Sequence, residues 1–155
     1  DDMQYWLMKS EPNCFSLDDL KSRKNQTEPW DGVRNYQARN MMRDQMKIGD
    51  KVFFYHSNCK VPGIVGMAKV VTTGYPDPTQ FDPDEGHFDP KSDPNNPRWF
   101  LVDVQFVKQF KETISLEYLK TLPELSGMQL LRKGNRLSVM PVEKTHWEII
   151  ISSAK

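Results

Sequence analysis

The side chains able to do chemistry are few here: three histidines, two cysteines and scattered carboxylates. His56 and Cys59 are close enough in sequence for a thiolate–imidazole pair, but no third group stands where it would orient the imidazole. His87 lies among Asp82, Asp84, Glu85 and Asp89, a set that could be read as a metal site. Gly86 falls one place too early for a calcium loop, and Asp-Pro pairs make turns without any metal. His146, beside Trp147 in a helical pattern, is expected at a surface or an interface. Cys14 and Cys59 lack C-x-x-C spacing and read as free, buried or half-buried thiols in a reducing compartment. No G-x-S-x-G, phosphate loop or dinucleotide fingerprint occurs. The expectation is a non-enzyme with no metal and no cofactor.

Charge leaves a local possibility. The 155 residues balance 21 basic against 21 acidic side chains, which argues against a protein that coats DNA through bulk positive charge. The balance is uneven along the chain. Between Leu20 and Lys60 nine Lys and Arg face four Asp and Glu; between Pro76 and Asp103 seven acids face two bases. A basic flank beside an acidic loop can still dock a polyanion locally.

The elements that would position these residues follow from pattern. Tyr5–Lys9 reads as a strand, stopped by Ser10-Glu11-Pro12-Asn13. Ser16 and Asp19 have capping-box spacing and open a helix. Residues 21–29 read as a polar loop, and a second helix fits Asn35–Met46, with Gly49 placed to end it. Lys51–Ser57 and Gly63–Val71 read as strands, and Gly63-x-x-Gly66 as tight backbone packing or a bulge. Residues 74–97 form a long Pro- and Asp-rich loop. Trp99–Phe110 is a long strand with Phe100, Val102, Val104 and Phe106 on one face. Ser115 caps a short helix, residues 127–133 are ambiguous, Arg136–Met140 is a last strand, and Pro141 leads into a C-terminal helix. The order β-α-α-β-β-loop-β-α-β-α implies an α+β fold: a mixed, strongly curved sheet flanked by helices, one domain over residues 3–154. The leading Asp1-Asp2 is given no role, and no membrane span is expected.

Several segments together carry a family likeness. WDGVRNYQARN at Trp30–Asn40, with YWLMKSEP at Tyr5, YHSNCKVPGIVG at Tyr55, YPDPTQFD at Tyr75, DPNNPRWFLVDV at Asp93 and RLSVMPV at Arg136, resembles the EVE domain family in order and over nearly the whole chain. The eleven residues from Trp30 are highly specific. The chain is similar to bacterial members and is expected to be without the long basic N-terminal extension of nuclear relatives. The resemblance implies a PUA-like pseudobarrel, related to the YTH and ASCH domains, that takes a single nucleobase into a cavity. Modified cytosine is the favoured base, in DNA or RNA. A monomer is expected, cytoplasmic with nucleoid association allowed, or nuclear in a eukaryotic source.

By similarity to the YTH arrangement, the end of the first strand and the tryptophan after the first helix line that cavity. Trp30 is expected to stack on the base, with Val33 beside it. Ser10 would bind the base edge, and Glu11 would accept from an exocyclic amine. Tyr55, Ser57 and Asn58 end the strand at Lys51; Ser57 and Asn58 offer directed hydrogen bonds, although alternation puts Tyr55 and Ser57 on one face and His56 on the other. Arg34, Arg39 and Lys9 are candidate phosphate contacts, and Phe81 with Asp77 a candidate lid. Trp99 and Asp103 are expected to be structural. Two other readings remain: a protein-interaction adaptor without a pocket, and a small hydrolase or transferase with Glu11 as the sole plausible base.

Overall fold

The computed structural model describes residues 3–154, so the expectation for Asp1-Asp2 falls outside it. Strand β1 (Tyr5–Ser10) leads into helix α1 (Leu17–Ser22). The capping box forms as its spacing predicts: the Ser16 hydroxyl accepts from the Asp19 N–H at 3.0 Å, and Asp19 accepts from the Ser16 N–H at 2.9 Å. The polar stretch at 21–29 is more ordered than a loop, because Thr27–Pro29 pairs with the long strand as β2. Helix α2 (Tyr36–Asn40) is capped by the Asn35 side chain and continues as a π-helical turn over Met41–Gln45. Gly49 does not end it. At φ +97° it turns the chain into the next strand, and its N–H donates to the Val70 carbonyl at 2.8 Å.

Strands β3 (Lys51–His56) and β4 (Gly63–Val70) fall where expected. A short ladder, β5 (Tyr75–Pro76) with β6 (Phe100–Leu101), brackets the long loop. β7 (Asp103–Ser115) runs five residues further than its pattern shows. Helix α3 (Leu116–Leu119) is capped by Ser115. The ambiguous stretch holds short 3₁₀ turns, and β8 (Val139–Val142) precedes helix α4 (Lys144–Ser153). Pro141 lies inside β8, opposite Trp6, rather than at the helix start.

The main sheet has the order β2-β7-β4-β3-β1-β8 and curls into a half-barrel of the α+β class. It is mixed: β1 and β3 run parallel, the other pairs antiparallel. Each outermost strand carries a proline, Pro29 in β2 and Pro141 in β8. The pairing of β4 with β7 is irregular between Ile64 and Gly66, and a Cβ on Gly66 would strike the Lys108 carbonyl. That is the close approach its spacing implies.

β3 is central and covered on both faces, so Val52, Phe53, Phe54 and Tyr55 are all buried. Phe53 stacks on Trp147 of α4, with ring centroids 3.6 Å apart. Phe54 faces the other way, 5.4 Å from the Trp30 ring. Under the sheet end, Asp50 accepts from the Trp6 indole at 2.9 Å and from the Gln4 and Lys47 N–H groups. His146 is buried in the packed face of α4, not at the surface, whereas Cys14 is exposed and only Cys59 half-buried. Among the described residues, no helix is long and apolar enough to cross a membrane.

Candidate functional site

A cleft of about 760 Å³ opens where β1, the turn after it, the Trp30 segment and the entry to β8 converge. Its size is within the ~300–1,000 Å³ usual for small-ligand sites. Trp30 and Phe15 supply the aromatic wall; Ser10, Ser57 and Ser138 supply hydroxyls; Lys9, Arg23 and Arg136 supply cations. Trp30 is 8% exposed, so it packs in the core while being among the residues that line the cleft. Phe15 and Phe54 meet it near perpendicular, at 86° and 84°.

The segment after Trp30 is held from both sides. The Trp30 N–H donates to the Val102 carbonyl at 2.9 Å, tying it to the sheet. The Asp31 N–H donates to the Pro29 carbonyl at 3.0 Å, a three-residue turn that redirects the chain at the indole. Gly32 stands at φ +80°, and its N–H donates to Asp77 at 2.8 Å. A Cβ there would come within 2.6 Å of the His87 ring, so only glycine lets that imidazole close down on the backbone. Asn35 then caps α2 through the Ala38 N–H at 2.9 Å.

Arg34 fastens the long loop to this segment. Its five N–H groups reach the Val33 and His87 carbonyls, Asp77 and Thr79, which uses all its donors. Burial works to raise the Asp77 carboxyl, but hydrogen bonds from Thr79, Gly32 and Arg34 outweigh it and hold the group below its ordinary range. Gln80 is fully buried and makes four bonds, donating to the Asp77 and Trp99 carbonyls and accepting from the Ser92 hydroxyl and the Trp99 N–H. Trp99 donates its indole N–H to Asp89 at 2.7 Å and stacks on Tyr36 at 4.7 Å. Residues 74–97 are therefore a fastened buttress with a buried polar centre, not a lid.

Of the expected site residues, Lys9, Ser10, Glu11, Trp30, Val33, Arg34 and Ser57 line the cleft. Tyr55 does not. It is on the opposite sheet face from Phe54, buried under the Lys9 ammonium, and burial pushes its hydroxyl up to about 12. Asn58 stays in the hairpin turn at φ +52°, donating to Glu11 at 3.1 Å. Phe81 ends the 3₁₀ turn at Pro78–Phe81 and does not line the cleft. Arg39 does not line the cleft: its guanidinium donates to the Arg98 carbonyl and Asn40 and lies 4.7 Å from the Tyr36 ring. Arg34 lines the wall, but its donors are all engaged within the protein. Asp103 accepts from the Tyr75 hydroxyl, a structural bond.

Sequence reasoning missed Phe15, Asp31, His87, Arg136 and Ser138. Phe15 and Asp31 adjoin recognised positions, and RKGNR at Arg132–Arg136 is a visible basic cluster. His87 could not be found, because 55 residues separate it from Gly32. Around the cleft, burial lowers the Lys9 amine. Asp31 is solvent-reached, yet the surrounding protein and then the Asp77 charge raise its carboxyl, opposed by His87. His56 lies on the Phe54 face and accepts the Leu17 N–H at 3.1 Å through Nε2; burial lowers its pKa.

Comparison with known proteins agrees with this architecture. A model of the EVE domain matches residues 4–153. Thymocyte nuclear protein 1 of Mus musculus is 48% identical, with 96% of this chain and 72% of the relative covered. A solved protein of Pseudomonas syringae is 50% identical with a TM-score of 0.91, covering 96% of this chain and 98% of that one. Human THYN1, solved in complex with DNA containing 5-methylcytosine, is 46% identical with a TM-score of 0.91, covering 97% and 96%. The half-barrel, the motif at Trp30 and these matches together show that the chain belongs to the EVE domain family.

Proposed function

We propose that this chain is a non-catalytic DNA-binding module that holds one base, a modified cytosine, in the cleft beside Trp30. The observation that carries the reading is the convergence of an aromatic wall, Trp30 and Phe15, with the Ser10, Ser57 and Ser138 hydroxyls in one cleft. A base needs a π-face and a few fixed polar groups at its edge. The human relative crystallised with 5-methylcytosine DNA supports this choice of ligand.

In this reading Trp30 bears on the base plane, contributing ~1–3 kcal/mol. Ser10 already donates its hydroxyl proton to the Phe15 carbonyl at 2.5 Å, which leaves its oxygen to accept from a base edge. Val33 offers apolar surface to a 5-methyl group, a contact worth ~1–3 kcal/mol. Lys9 and Arg136 are the cations at the cleft best suited to flanking phosphates, since Arg23 is paired with Glu28 at 3.1 Å and Arg34 with Asp77.

The test is a titration of matched oligonucleotides bearing cytosine, 5-methylcytosine or 5-hydroxymethylcytosine, with the wild type and Trp30→Ala. The modified strands bind more tightly to the wild type, and Trp30→Ala loses about tenfold or more of that affinity. Equal, salt-driven binding of every strand removes the base-reading function.

A further inference from the structure

A cleft that reads a 5-methyl group faces a chemical ambiguity. Thymine carries the same methyl at the same ring position as 5-methylcytosine. The two bases differ at the neighbouring edge, where cytosine presents an amine donor and thymine a carbonyl acceptor. Methyl contact alone therefore cannot separate them; an acceptor aimed at position 4 can.

Three carboxylates line the cleft: Glu11, Glu28 and Asp31. Glu28 is engaged by the Arg23 guanidinium at 3.1 Å, and Glu11 by the Asn58 amide at 3.1 Å. Among the described residues, the Asp31 carboxylate has no hydrogen-bond or ion-pair partner. It directly follows the wall residue Trp30, and the turn closed by its own N–H onto the Pro29 carbonyl sets its backbone. The next residue is anchored by Asp77, so Asp31 stands on rigid backbone despite its exposure. A short carboxylate beside an aromatic wall, with acceptor oxygens that no protein donor occupies, suits an exocyclic amine and opposes a carbonyl oxygen.

From this we infer that Asp31, rather than Glu11, is the specificity residue of the cleft, accepting from the 4-amino group of a bound cytosine and rejecting thymine. The inference rests on the base-holding function proposed above. It adds that the ligand class is a base with an exocyclic amine, methylated or not. Repulsion from a carbonyl oxygen and loss of the amine bond act together, so thymine binds at least about tenfold more weakly than 5-methylcytosine in the same sequence context.

The experiment compares three oligonucleotides identical except for cytosine, 5-methylcytosine or thymine at one position, against wild type, Asp31→Asn, Glu11→Gln and Trp30→Ala. Asparagine can accept from an amine or donate to a carbonyl, and so keeps the shape while losing the choice. Asp31→Asn is expected to collapse the 5-methylcytosine-to-thymine ratio about tenfold, chiefly by strengthening thymine binding. Glu11→Gln leaves that ratio in place. An unchanged ratio in Asp31→Asn, or a collapse in Glu11→Gln alone, overturns the assignment. Failure of the underlying function looks different: all three strands bind alike to the wild type and Trp30→Ala changes nothing, which overturns both. Thermal melting of each variant separates these results from misfolding.

Discussion

At the scale of single residues, the segment from Trp30 to Asn35 shows how much of the candidate site its own sequence announces. The tryptophan and the following Asp-Gly were legible, because a large aromatic beside a turn-forming pair is conspicuous. The reason for the glycine was not, since it lies in a histidine 55 positions away. Gly32→Ala should destabilise the fold by about 1–2 kcal/mol through its left-handed backbone alone, with a further loss from displacing His87. Urea denaturation of Gly32→Ala, with and without His87→Ala, separates the two parts. The second substitution should recover the steric share and leave the backbone share. Glu11 and Asp31 show the limit from the other side. Both are acids beside recognised positions, and only the partners around them, Asn58 for Glu11 and none among the described residues for Asp31, separate the two.

At the scale of elements, local signals were reliable where the stabilising contact is local. The capping box at Ser16 and the cap at Ser115 form within four residues of sequence. β2 and the tail of β7 were illegible because they exist by pairing across the sheet. The face of β3 was illegible too. With both faces buried, KVFFYH carries no alternation to read, and the faces separate only through Trp147 on one side and Trp30 on the other. One element depends on pH. The Leu17 N–H at the start of α1 donates to neutral His56, whose proton affinity burial has lowered. A histidine with a depressed folded pKa contributes stability that is complete above its unfolded value, about 6.5, and is lost as pH falls through the folded value. The denaturation midpoint should therefore drop as pH falls below about 6.5. His56→Gln, which can accept the same N–H without titrating, should flatten that drop; an equal drop in the variant would clear His56 of the effect.

For the whole molecule, the α+β class and the mixed curved sheet were legible from element order, and the long loop from its composition. Its role was not legible, because a buried polar centre built on Gln80 and Asp77 looks in sequence like ordinary turn chemistry. The arginines divide accordingly. Arg34→Ala should cost about 2–4 kcal/mol of stability, read by thermal melting, since it abandons the Asp77 carboxylate. Arg136→Ala should leave melting unchanged and reduce the magnitude of the salt slope of DNA binding by about 1. The two outcomes exchanged would reverse the assignment of clamp and phosphate contact. The two outermost strands bear on a different matter. A proline in each interrupts the row of N–H donors that a neighbouring copy would need to extend the sheet. Crowded copies of this chain thus meet at two flanks, β2 and β8, that resist extending the sheet, whereas residues 106–115 of β7 run on past β2 with β4 alone beside them.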